Sequence, residues 1–319
     1  MGSLDGVVSR LQARLRRVWG RVGRRSDGRA PIWIELLVIA WLFWLYDVVN
    51  SLAPVRQLEA LSNGRGLISA ERSLGLDPEL TLNHWLAAHH TLGLAASYYY
   101  FFAHGVVTAA VLILLWWKDP RLYIRQRTQL VIINLIGFLI FWRYPLAPPR
   151  LLGEGFVDVV AASHAFISWH SGVLAHDADQ LAAMPSLHVA WAIWSGVSLW
   201  QLYRRRLVAA LAVLYPLTTT LVVMATGNHY LFDVAAGAGC VPAAYVLYRA
   251  GSRWLSELLA RRRAAPTGGL VREDVLRQIE LAVLDPAAEP AGAAESPGAG
   301  EGAGSRFRPR GRRSATPRP

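Results

Sequence analysis

Two short segments, Met184-Pro185-Ser186-Leu187-His188 and Asn228-His229-Tyr230-Leu231-Phe232-Asp233, each set a histidine at the edge of a long apolar run. Ionisable groups at the edge of a membrane span are costly and usually functional. His229 and Asp233 are four positions apart, so both fall on one helical face. A carboxylate so placed can hold an imidazole in one tautomer and raise its basicity, which is how a histidine becomes a nucleophile. A third segment, Arg143 to Arg150, carries two guanidiniums in a proline-stiffened stretch. Two such forks can converge on one tetrahedral anion, because guanidinium bonds phosphate oxygens in pairs. Pro185 opens a helical first turn whose free amides, at Leu187 among others, form an anion site, and Ser186 adds a hydroxyl donor. His188 then stands where it can protonate a departing oxygen.

Each segment alone also has a plain structural explanation. Arg143 can mark a membrane boundary and snorkel. Ser186 can cap a helix, leaving His188 as an interfacial polar residue. His229 and Asp233 can form a hydrogen bond between helices. The last is the least comfortable, since a carboxylate in an apolar helix is expensive unless it is paired.

The elements that must position these residues are apolar. The 319 residues are 53% hydrophobic yet carry a net charge of +11, with a mean hydropathy of +0.27. Both hold only if apolar and basic residues are segregated along the chain. Lys118 is the only lysine; arginine supplies the rest of the positive charge. A pI near 10.4 fits nucleic acid in general, but arginine blocks between apolar spans fit anionic lipid better, and no nucleic-acid partner is expected. Cys240 is the sole cysteine, which excludes an intrachain disulfide.

Six stretches approach the length needed to cross a bilayer, near 32–52, 92–117, 128–142, 186–203, 207–227 and 230–248. The fold expected is therefore all-α, a six-helix transmembrane bundle. Basic residues crowd the leader, the loop after the second span (Lys118, Arg121, Arg125, Arg127), Arg204 to Arg206 after the fourth, and the segment after the sixth. The positive-inside rule then places both termini in the cytoplasm and the loops 53–91, 143–185 and 226–229 outside. All three motifs meet at the outer membrane face. Residues 1–31 read as a basic amphipathic leader, 32–250 as the membrane domain and 251–319 as a basic, mostly disordered tail.

Taken together, the three segments resemble the type 2 phosphatidic acid phosphatase superfamily, whose pattern is Lys-x6-Arg-Pro, Pro-Ser-Gly-His and Ser-Arg-x5-His-x3-Asp. Here these stand as Arg143-x6-Arg150, Pro185-Ser186-Leu187-His188 and His229-x3-Asp233. Arginine replaces the family lysine, Leu151 the proline, Leu187 the glycine, and Val222-Val223 the Ser-Arg. The Ser-Leu-His and Gly-Asn-His-Tyr wording, the run Tyr144 to Arg150, and Tyr98-Tyr99-Tyr100 ahead of His104 look more like the inositol phosphorylceramide synthase branch. The resemblance implies a membrane enzyme of lipid metabolism, a phosphatase or phosphotransferase acting on a lipid phosphate or phospholipid headgroup without metal or cofactor. His229 would be the nucleophile, Asp233 its orienting carboxylate and His188 the acid. Arg143, Arg150, Ser186 and the Leu187 amide would bind phosphate, and the acceptor would be water, an alcohol or inositol. The expected location is the plasma membrane with the site extracytoplasmic; the Arg, Ala and Gly richness points to a GC-rich bacterial genome. A proton-coupled transporter and a catalytically silent binding protein are the alternatives, the second motivated by the missing arginine.

Other polar residues fit lesser roles. His164, His170 and His176, with Asp177 and Asp179, match no common metal spacing and read as loop residues. The stretch from Gly155 to Trp169 reads as a surface or re-entrant helix over the site. His84, His89 and His90 read as interfacial, and His104 as a pocket border or an interhelical hydrogen bond. Asp47 and Asn50 are candidate partners for a site arginine.

Overall fold

The computed structural model describes residues 31–52, 56–163, 181 and 183–264, without the side chains at 43, 46, 47, 49–52 and 262–264. The leader, the stretch holding His164, His170, His176, Asp177 and Asp179, the tail beyond 264, and the side chains of Asp47 and Asn50 lie outside that description. Everything described is helical or irregular, with no strand among the described residues.

Six long helices follow the expected spans: α1 (Ile32–Leu52), then α4 (His90–Lys118), α5 (Pro120–Arg143), α7 (Leu187–Tyr203), α8 (Arg206–Ala225) and α9 (Leu231–Ala264). Between α1 and α4 stand α2 (Gln57–Ser73) and α3 (Pro78–Ala87); a short α6 (Val159–Ala162) precedes α7. Four helices, α4, α5, α8 and α9, are long and apolar enough to cross a membrane. At 17 residues α7 is shorter, and it packs against α8, α9, α4 and α5 as the central helix. Large apolar side chains such as Leu37, Trp44, Val106, Ile113, Leu211, Leu217 and Val246 lie exposed around the bundle. In water such a belt would drive aggregation; against acyl chains it is matched.

Three expectations need correction. The segment 53–91 is not a loop. Ala60, Gly64, Ile68 and Glu71 recur at helical spacing and make the buried face of α2, while Asp77-Pro78 starts α3. The third span begins at Pro120 rather than near 128, because Asp119 caps it by accepting from the Arg121 and Leu122 amides at 3.1 and 2.9 Å. Arg121, Arg125 and Arg127 therefore ride on the first turns of α5, where Arg127 pairs with Glu35 of α1 at 3.1 Å. The sixth helix does not stop near 248 but runs on to Ala264.

Two of the buried apolar clusters frame the site. One, around Val111, Leu115, Tyr123, Ile133, Trp194 and Ala244, joins α4, α5, α7 and α9. The other, around Ala60, Ile68, Leu146, Ala147, Leu152 and Tyr230, seats α2 beneath the segment that leaves α5. That segment is pinned by Leu146 N–H to Leu181 O at 2.8 Å and Ala183 N–H to Leu146 O at 3.1 Å.

Candidate active site

The turn from α8 into α9 carries His229. Gly227 adopts φ +75°, a conformation open to glycine and strained for other residues. Both Asn228 N–H and His229 N–H return to Val223 O, at 3.1 and 3.2 Å. His229 Nδ1 lies 3.1 Å from Asp233 Oδ1, and Asp233 Oδ2 accepts the Tyr230 amide at 3.0 Å. Asp233 thus acts as the third-position acid of a capping box while holding the imidazole. His229 is 5% exposed and Asp233 is 0%, so the pair is held in a site from which water is largely excluded.

His188 enters from the first turn of α7. Its ring centroid lies 5.7 Å from that of His229, stacks on Tyr100 at 4.5 Å and meets His104 edge-on at 4.3 Å. The two α4 rings fix the His188 plane. His104 Nδ1 is satisfied within its own helix, 3.0 Å from Tyr100 O, so it borders the pocket without an interhelical bond from that nitrogen.

Ser186 is fully buried and precedes α7, yet its hydroxyl makes no cap hydrogen bond and has no partner among the described residues. Its backbone is fixed instead, Ser186 N–H donating to Asp233 O at 3.1 Å. This contact requires Gly237, where a Cβ would stand 2.2 Å from Ser186 O. Leu187, in place of the family glycine, is accommodated by Gly137, where a Cβ would meet Leu187 Cδ2 at 2.8 Å.

Arg150 sits on a single 3-10 turn, Pro149–Leu151. Its amide donates to Gly227 O at 2.9 Å, its Nη1 donates to Asn228 Oδ1, and its Nε lies 3.4 Å from Asp158. The first motif is therefore bonded directly to the third. Val223, at the position of the family arginine, is packed in the core with Val189 and Val234. Arg150 is the guanidinium that the structure brings to this turn. Arg143 is different: it ends α5 exposed and is not among the residues lining the cavity described next.

His188, His229, Arg150, Asn228 and Leu187 share one cavity of about 630 Å³. From that polar end it runs between α1, α4, α5 and α7, past Leu42, Ala109, Leu112, Leu130, Phe138 and Phe141. It has a polar end and an apolar interior, suited to an anionic head with an apolar tail.

A family model described as the PAP2 superfamily matches residues 65–247, more than half of the chain. The chain belongs to the PAP2 superfamily. No curated protein and no solved structure matches it. Membership suggests phosphatase or phosphotransferase chemistry. The PAP2 match also starts ahead of α3, so it includes residues that the motif reading passed over. Asn83 of α3 donates to Val157 O and Ala225 O and accepts from the Val157 amide, tying α3 to the end of α8 and to the segment before α6. Glu71 and Glu79 accept from the Phe232 and Leu231 amides. Their only sequence signal was the helical spacing of buried residues in 57–87.

Proposed function

We propose that this chain is an integral-membrane phosphatase or phosphotransferase acting on a lipid phosphate or phospholipid headgroup through a phosphohistidine at His229. The observation that carries the reading is the facing of His188 and His229 across one cavity, with Asp233 on His229 Nδ1. Occupied at Nδ1, the imidazole presents Nε2 to phosphorus. The N–P bond forms as the P–O ester bond breaks, and His188 gives its proton to the departing oxygen. Arg150, the Ser186 hydroxyl and the first amides of α7 stabilise charge on the equatorial oxygens. In the second step His188 takes a proton from the acceptor hydroxyl, whose oxygen attacks phosphorus and frees His229. From a phosphate monoester, water as acceptor gives phosphate and an alcohol, inositol among them, gives a new monoester; from a phospholipid diester, the intermediate keeps one ester group, so water gives a monoester and an alcohol a new phosphodiester. No step uses a metal. In this reading six helices span the bilayer, both termini are cytoplasmic, and the site opens outward at the plasma membrane.

The apolar interior of the cavity favours a lipid over a soluble ester. With soluble alkyl phosphates, KM is expected to fall about fourfold for each added methylene until the cavity is filled, from the transfer energy of a buried methylene. A KM independent of chain length would remove the lipid from the proposal. Labelled phospholipid incubated with and without inositol then separates water from alcohol as the acceptor.

A further inference from the structure

Three successive amides open α9, and each is held by a different carboxylate. Tyr230 N–H donates to Asp233 at 3.0 Å, Leu231 N–H to Glu79, and Phe232 N–H to Glu71 at 2.6 Å. Free amides at a helix start ordinarily form an anion site. Here the chain's own carboxylates take them, two reaching in from helices outside the bundle, so the phosphoryl group is left to α7 and Arg150. Glu71 and Glu79 are 0% and 1% exposed. Each keeps one oxygen, Oε2, without a donor among the described residues, and because they take the adjacent amides of Leu231 and Phe232 the two carboxyl groups are gathered at one helix start. Two buried carboxyl groups gathered so closely without a cation are stable only if at least one of them holds a proton.

We propose that Glu71 and Glu79 form a proton-sharing carboxyl pair that clamps the first turn of α9 and so positions His229 and Asp233 for the reaction. The pair touches no reacting atom; both are positioning residues. This inference rests on the reading of His229 as nucleophile. The charges around the pair agree with it. Asp233 faces it from α9 and Asp77 from the start of α3. Arg72, on the same helix as Glu71, turns instead to Glu154 and Asp77, at 2.7 and 3.7 Å. No cation pairs with either glutamate among the described residues. Burial, then the neighbouring Glu79 and Asp233, pushes the Glu71 carboxyl up to about 8. Burial raises Glu79 as well. The sign follows: Glu71 is protonated in the folded protein below about 8, so activity falls as pH rises through that value and a second negative charge appears beside Asp233.

The test compares Glu71→Gln, Glu79→Gln and Glu71→Leu in purified full-length protein. A glutamine keeps both the acceptor for the amide and a donor for its partner. Each Gln variant is therefore expected to retain most of kcat and to lose the alkaline limb. Glu71→Leu leaves the Phe232 amide and Glu79 bare and is expected to lower kcat about ten- to a hundredfold, with little change in KM. If Glu71→Leu does not fold, the alkaline limbs of the two Gln variants decide. Limbs unmoved in both, or a Leu variant equal to Gln, would overturn the clamp. A 15N signal of His229 is read without turnover. It is expected to move in Glu71→Leu toward its position in Asp233→Asn and to stay in Glu71→Gln; a signal indifferent to Leu overturns the clamp as well. Wild-type protein that frees no phosphate from any lipid would defeat the proposed function alone, with the His229 signal still deciding the clamp.

Discussion

At the scale of the residue, the site divides labour between two imidazoles by their surroundings. His229 has a carboxylate on Nδ1, which in the proposed reading makes it the nucleophile; His188 has aromatic and imidazole rings around it and no carboxylate partner among the described residues. The division predicts a leaving-group effect. His188→Asn should slow phosphoryl transfer from an alkyl phosphate about 10²- to 10⁴-fold, the range for a lost general acid. A p-nitrophenyl ester departs without a proton, so the variant should still give a burst near one equivalent of nitrophenol and then stall at the second step. Equal loss for both esters in the burst phase would show that His188 is not the acid.

At the scale of the element, the chemistry depends on α7 and α9 approaching to backbone contact. At Gly237 a Cβ would press on a carbonyl of Ser186, which cannot swing aside as a side chain would. Gly237→Ala should cost about 1–3 kcal/mol of stability by overpacking, and kcat should drop more than tenfold as Ser186 and the start of α7 that carries His188 are displaced. Gly239→Ala, with open space around it, is the control and should keep both. Equal melting temperatures and activities in the two variants would contradict the packing. This scale also separates what was legible in the sequence from what was not. The His229–Asp233 pair and the Pro185 helix start act within a few residues of themselves, so spacing alone exposes them. Glu71 and Glu79 act on amides 161 and 152 positions away. Their carboxylates bond to backbone, which leaves no residue pattern at the receiving end. The segment bearing them lacks the long apolar run that marks a span, because α2 is amphipathic rather than apolar. Arg143 shows the opposite case: the motif spacing marks it, and the structure leaves it exposed at the end of α5, away from the cavity lining.

At the scale of the whole molecule, near-direct connections at Asp119 and at Arg204-Arg205 turn α4 back into α5 and α7 back into α8. Residues 187 and 231 then fall at one end of the bundle, and Lys118 and Arg204 at the other. The arginine distribution predicts which end faces outward. Cys240 is buried, so single cysteines can report topology against a quiet background. Leu74→Cys, in the exposed turn between α2 and α3, should react with a membrane-impermeant maleimide on intact cells. Arg205→Cys should react only after permeabilisation; the reverse pattern would place the site in the cytoplasm.

Quenching the purified protein with a 32P-labelled lipid phosphate within a single turnover tests the account most directly. An acid-labile, alkali-stable phosphoryl group should appear on the peptide containing His229, vanish in His229→Gln and decay on adding acceptor. Turnover at full rate in His229→Gln, or label on any other residue, would contradict the account.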